Sequence, residues 1–202
     1  MYYILVMITA YILGSSSMSF YLARAKGVDL RKKGSRNLGA SNAMILMGWK
    51  AGILVGIHDI GKAILAVSAA RLLFGDLPYI GALAGVACVL GHIFPFYLHF
   101  KGGKGFAAFI GMTLALNWKY AIVMLLLVVA VTFVTDYIVA GTVTAVTLTP
   151  AYLGFAEHNV WIAAIILVAT GVILWKHREN FVRMYMGTEI GFRSAKRGEY
   201  RE

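Results

Sequence analysis

Leu77-Pro78-Tyr79-Ile80-Gly81-Ala82-Leu83-Ala84-Gly85-Val86-Ala87-Cys88-Val89-Leu90-Gly91-His92-Ile93-Phe94-Pro95-Phe96-Tyr97-Leu98 carries no charged side chain, and it runs straight into His99-Phe100-Lys101-Gly102-Gly103-Lys104-Gly105. A bilayer core takes roughly 20 helical residues, with about 17–25 the usual range. The stretch therefore predicts a membrane span ending in a basic, glycine-rich loop. Upstream, Gly75–Pro78 is a turn, preceded by an apolar stretch from Ala43 to Leu73 that holds Lys50, His58, Asp59 and Lys62. Tyr2–Ala23 is a first span. It lacks a basic leading segment and a small-residue cleavage site, so it is expected to be retained rather than removed as a signal peptide. Downstream, Gly105–Thr135 is broken at Asn117-Trp118-Lys119-Tyr120 into two shorter spans; read instead as one span or as re-entrant, the region would change the count. Ile138–Ala156 and Val160–Trp175 complete a predicted set of seven.

Composition agrees. Of 202 residues, 60% are hydrophobic and 14% charged, against about 25% charged in a soluble domain, and the mean hydropathy is +0.75. A soluble nucleic-acid-binding protein is excluded, although the net charge is +10, because the cations lie in loops between apolar blocks. Loops on one side hold Arg24, Lys26, Arg31, Lys32, Lys33, Arg36, Lys101 and Lys104. The tail adds Lys176, Arg178, Arg183, Arg193, Lys196, Arg197 and Arg201, and the other side has Arg71 and Lys119. Basic loops face the cytoplasm, so the N-terminus is expected outside and the C-terminus inside. No repeat or linker divides residues 1–202, which read as a single transmembrane domain. Cys88 stands alone in an apolar run, without a disulfide partner or metal-ligand spacing.

Several polar constellations interrupt this pattern. In Lys101–Gly105 the glycines let backbone N–H groups approach an anion. A helix starting near Gly105 would aim its positive end at the same place, and Lys104 would add a charge. The run is not a nucleotide-binding P-loop, because Gly105 stands where that motif needs Ser or Thr. A flexible basic loop against lipid headgroups is the plainer alternative. Gly34-Ser35-Arg36-Asn37-Leu38-Gly39-Ala40-Ser41-Asn42 also leads into a helix. Arg36 offers a fork for phosphate, and Ser35, Asn37, Ser41 and Asn42 offer hydrogen bonds, with Ser41 or Asn42 equally suited to capping. In Lys176-His177-Arg178-Glu179-Asn180, His177 and Asn180 share a helical face; a basic anchor with a helix cap is the alternative. His58, Asp59 and Lys62 lie within a span, where ionisable groups face a cavity or one another. A structural hydrogen bond is the ordinary role for His92, and helix–helix bonding for Thr142, Thr144, Thr147 and Thr149. Thr142, near the cytoplasmic end, is also within reach of a site.

Taken together and in order, Gly34–Asn42, Asp59–Lys62, Gly91–Gly105, and Lys176–Asn180 followed by Gly187-Thr188-Glu189 resemble the bacterial membrane acyltransferases that use acyl phosphate to acylate glycerol 3-phosphate. The resemblance implies seven helices and a cytoplasm-facing active site in the inner membrane. The implied products are lysophosphatidic acid and phosphate, and a monomer among membrane lipids, without cofactor or metal, is expected. Two phosphates must be held. Lys104 with Lys101, Gly102, Gly103 and Gly105 is expected to cradle one; Ser35, Arg36, Asn37, Gly39, Ser41 and Asn42 are expected to serve the other. His177 and Asn180 would orient glycerol 3-phosphate. Lys104, His177, Asn180 and Ser35 are the expected catalytic residues, with Thr142, His92, Lys62 and Glu189 as further candidates. Arg36 and Leu38 depart from the family's glycine and proline, and Thr142 replaces a common serine while keeping the hydroxyl. No histidine is followed by aspartate five residues later, which argues against the thioester-using glycerolipid acyltransferases. The competing class is a transporter or flippase for phosphorylated metabolites or lipids, which predicts internal repeats.

Overall fold

A computed structural model describes residues 1–193, so Lys196, Arg197 and Arg201 of the basic tail lie outside the described residues. The described chain is helical, as expected where a backbone in lipid must satisfy its own hydrogen bonds. Its elements are α1 (Tyr2–Ser15), α2 (Met18–Ala25), α3 (Ala40–Met47), α4 (Trp49–Phe74), α5 (Ile80–Ile93), a 3₁₀ turn (Phe96–Leu98), α6 (Phe106–Leu116), α7 (Trp118–Thr135), α8 (Ile138–Ala156), α9 (Val160–Lys176) and α10 (Arg178–Tyr185). They fall into two compact units, Met1–Leu116 and the residues from Asn117 onward.

Five helical segments are long and apolar enough to cross a bilayer, and a sixth follows if α9 and α10, bent by 46°, count together. The expected seventh corresponds to α6. At 11 residues and about 1.5 Å per residue, it covers roughly half of a ~30 Å hydrocarbon core.

Two of the expected stretches hold a helix break, although Tyr2–Ala25 still counts as one candidate span. Tyr2–Ala23 parts at Ser16, whose backbone turns extended (φ −58°, ψ 137°), and Ser17 restarts the helix by accepting the Phe20 N–H at 3.4 Å. The carbonyl of Ser16 is met by Lys62 Nζ at 2.7 Å. Ala43–Leu73 is not one helix either. Gly48, at φ +89°, separates α3 from α4, a backbone conformation that L side chains rarely adopt.

In the first unit α5 is the most buried span. Close approach rests on small residues: Gly14 of α1 abuts the Cys88 backbone, and Gly91 abuts the backbone of Tyr11. Gly111 of α6 packs on the Ile60 carbonyl in the same way. The Arg71 guanidinium donates to the Ala115 and Leu116 carbonyls at 3.0 and 3.2 Å. It thereby caps α6 with a cation at the negative end of the helix dipole.

In the second unit, Tyr120 of α7 stacks on Tyr152 of α8 with centroids 4.0 Å apart and shares a 3.2 Å hydrogen bond with Thr149. Thr149 thus bonds between helices as expected. Thr142 and Thr144 do not: their hydroxyls donate to Ile138 and Ala140 of their own helix at 3.1 and 3.0 Å. Pro150 sits inside α8 and removes the N–H that would bond the Val146 carbonyl. Thr170 of α9 supplies the replacement, its hydroxyl donating to Val146 O at 2.8 Å. Thr170→Val should therefore destabilise the protein by about 1–3 kcal/mol, the cost of a buried unpaired carbonyl, whereas Thr170→Ser should not. Thermal unfolding in detergent compares the two, and equal melting of both variants would refute the role.

Candidate active site

The 34–42 loop is built around a staple. Asn42, 1% exposed, accepts the Ser35 N–H at 2.9 Å and donates to the carbonyls of Leu30, Lys33 and Asn37 at 2.9, 3.2 and 3.0 Å. Asn42, expected among the phosphate-binding residues, turns its amide to the loop's backbone. Neither Asn42 nor Ser41 caps α3, because Gly39 occupies the N-cap. Within this frame Arg36 takes φ +55° and is exposed, as is Ser41, while Ser35, Asn37 and Gly39 are half-buried. The unpaired opening amides of α3 add a positive dipole end beside them. Just upstream, Asp29 accepts the Arg31 backbone N–H at 3.0 Å, which, with the Arg31 and Lys32 charges, holds its carboxyl below the ordinary range.

The 101–105 loop folds back onto the end of α5. Gly102 N–H donates to Ile93 O at 3.0 Å and Gly103 N–H to His92 O at 3.2 Å. These two amides, expected to cradle a phosphate, close the turn onto α5. Gly105, at φ +95°, leads into α6, and its carbonyl accepts the Phe109 N–H at 2.9 Å. The amides left for an anion are those opening α6. Lys104, half-buried, stands directly before them, and Lys101 is exposed. The two predicted loops meet: the position a Gly103 Cβ would take lies 3.0 Å from Leu38 O.

Beneath the loop lies a buried polar cluster. Lys62 Nζ reaches Asp59 Oδ1 at 3.0 Å and His92 Nδ1 at 3.0 Å, besides the Ser16 carbonyl. His58 bridges Asp59 Oδ1 at 3.3 Å and Ser16 Oγ at 3.1 Å. The intramembrane charges thus pair with one another.

The second unit, by itself, carries the other candidates. His177 occupies the bend between α9 and α10, and its Nδ1 bonds the Ile173 carbonyl at 2.8 Å. Nδ1 must be the donor there, so in the neutral ring Nε2 bears the lone pair. Asn180, 4% exposed, lies one helical turn on. Its Nδ2 donates to Glu189 Oε1 at 2.6 Å, and Arg183 Nε meets Glu189 Oε2 at 2.7 Å. Glu189 therefore holds the Asn180 amide in place. Arg183, one of the tail's cations, closes this clasp through its six-residue spacing to Glu189 across Gly187, at φ +68°. Thr142 is 2% exposed. The Arg178 guanidinium packs 4.4 Å from the Trp175 ring, which suits the anchoring role. No group of acidic, histidine or cysteine side chains suited to a metal occurs among the described residues.

These features define an all-helical integral membrane protein with cationic, helix-leading loops suited to anions. The family profile for glycerol-3-phosphate acyltransferase matches residues 4–187. A glycerol-3-phosphate acyltransferase of Geobacter sulfurreducens is 37% identical over 186 residues, covering 92% of this chain and 95% of that one. One from Aquifex aeolicus is 34% identical over 185 residues, covering 92% and 96%. A solved structure of PlsY (YgiH), an integral membrane glycerol 3-phosphate acyltransferase in its glycerol 3-phosphate form, superposes with a TM-score of 0.90 at 32% identity, covering 97% and 98%. Its lysophosphatidic acid form gives 0.86 at 31% identity, covering 95% of each chain. The chain belongs to the glycerol-3-phosphate acyltransferase family and is an acyltransferase.

Proposed function

We propose that the protein transfers a fatty acyl group from an acyl phosphate to the 1-hydroxyl of glycerol 3-phosphate, releasing lysophosphatidic acid and inorganic phosphate. The carrying observation is the match over residues 4–187, which runs through both units and supports one acyltransferase domain. The described residues support seven crossings if α6 counts as a short one. The charge asymmetry then favours an outside N-terminus and a site facing the cytoplasm at the bacterial inner membrane. The protein works as a monomer among membrane lipids.

An acyl phosphate is already activated, so catalysis is mainly alignment and stabilisation of departing charge. The 1-hydroxyl oxygen attacks the acyl carbonyl carbon, and a C–O bond to the acceptor forms. The C–O bond to phosphate then breaks and inorganic phosphate leaves. A phosphate oxygen of the donor takes the hydroxyl proton. Lys104 and the opening turn of α6 hold one phosphate. Arg36, with Ser35, Asn37 and Ser41 at the opening of α3, holds the other. His177 and Asn180 orient the glycerol backbone.

The test is purified protein in detergent with acyl phosphate and glycerol 3-phosphate. Phosphate release is expected, and its absence would reject the reading. Acyl-CoA offered in place of acyl phosphate should give no product. His177→Ala should raise KM for glycerol 3-phosphate while costing kcat no more than about tenfold, a small share of what a general base contributes. A loss of several orders of magnitude in kcat with binding intact would make His177 the base.

A further inference from the structure

We infer that His92 is a positioning residue for the glycine-rich loop, locked by the Asp59–Lys62 pair so that its imidazole forms the floor beneath Gly103. Backbone and side chain both serve. The His92 carbonyl accepts the Gly103 N–H at 3.2 Å, and the ring's Nε2 and Cε1 fill the space beside Gly103 where a side chain would otherwise stand. His92 is 7% exposed and Lys62 5%, so neither reaches solvent freely.

Proton counting fixes the ring. An ammonium has three N–H groups and no acceptor. Those of Lys62 point to Ser16 O at 2.7 Å, Asp59 Oδ1 at 3.0 Å and His92 Nδ1 at 3.0 Å. Nδ1 must therefore accept, and the proton of the neutral ring sits on Nε2, on the side of the loop. The 3.4 Å separation of His92 Nδ1 from Asp59 Oδ1 is then that of two acceptors sharing one ammonium. The other end of the network is equally committed, because His58 spans Asp59 and Ser16. Charges this deep are retained at a cost. Here they tie the break in the first span to α4, to α5 and, through His92, to the loop that carries Lys104. The ring touches the loop rather than a reacting atom, so its effect on catalysis passes through Lys104.

The experiment has a spectroscopic and a kinetic arm, both on the full chain in detergent. Nitrogen NMR of histidine-labelled protein, assigned by the signal lost in His92→Asn, should show His92 protonated on Nε2 and unprotonated on Nδ1. A proton on Nδ1 overturns the inference. Kinetically, His92→Leu should lower kcat roughly 10–100-fold, the scale of a misplaced catalytic group, with the fold retained. His92→Asn, whose Oδ1 can still accept from Lys62, should recover most of that loss. A folded His92→Leu protein with unaltered kcat and KM, or Asn and Leu variants equally impaired, overturns it. Should His92→Leu fail to fold, the nitrogen spectrum decides. The kinetic arm rests on the acyltransfer reading; a wild-type protein that releases no phosphate sinks that reading and leaves the spectrum to judge His92.

Discussion

Lys104→Ala is expected to lower kcat/KM by about 10²–10³-fold, the usual consequence of removing one preorganised charge from a developing anion. The melting temperature in detergent should stay within a few degrees. The size of the effect follows from where the cation stands. Gly102 and Gly103 have given their N–H groups to the end of α5, so in the proposed reading the loop's hold on phosphate rests on Lys104 and the opening turn of α6. That turn contributes a partial charge at most, so Lys104 carries the one full charge at the head of the helix. Half-buried, it is screened less than exposed Lys101, and Lys101→Ala should cost no more than severalfold. Lys104→Arg, with the charge kept on a bulkier fork, should fall between alanine and wild type. Steady-state phosphate release measures all three. Equal losses for the two lysine-to-alanine variants would show that only net basicity matters.

Much of this was legible in the sequence because hydropathy and turn chemistry act locally. Asn117 and Asn159 cap α7 and α9 where turns were expected, accepting N–H groups at 3.0 Å, and α8 keeps the predicted bounds. The breaks at Ser16 and Gly48 were hidden within apolar runs. One carbonyl freed at Ser16 is offset by a lysine 46 positions away, a partner that no local pattern reveals. The same holds at the site. Residue types in both loops pointed to anions, but which groups stay available depended on non-local hydrogen bonds. Asn42 has the right chemistry for phosphate and spends it on three carbonyls. Glu189 holds Asn180, and Thr142 bonds its own helix. Sequence patterns identify polar clusters; only the folded chain shows which of their groups hold the loop.

Gly103→Ala tests that separation from the steric side and should lower kcat/KM by about 10²-fold, the scale expected when a binding element shifts by an ångström. A methyl there runs into the His92 ring and comes within 3.0 Å of the Leu38 carbonyl. Neither neighbour yields easily. The ring is pinned by Lys62, and Leu38, 3% exposed, belongs to the loop stapled by Asn42. The loop itself must move, and with it Lys104 and the entry to α6. The fold should survive, because the strain falls on a short turn rather than on the α1–α5 or α4–α6 packing. Gly61→Ala is the matched control: Gly61 lies in α4 with open space around its missing Cβ, and alanine there should leave turnover unchanged while favouring the helix by roughly 0.5–1 kcal/mol. If Gly103→Ala works at the wild-type rate, the floor beneath the loop is soft. Loop position then cannot be what the buried Asp59–Lys62–His92 cluster is there to set.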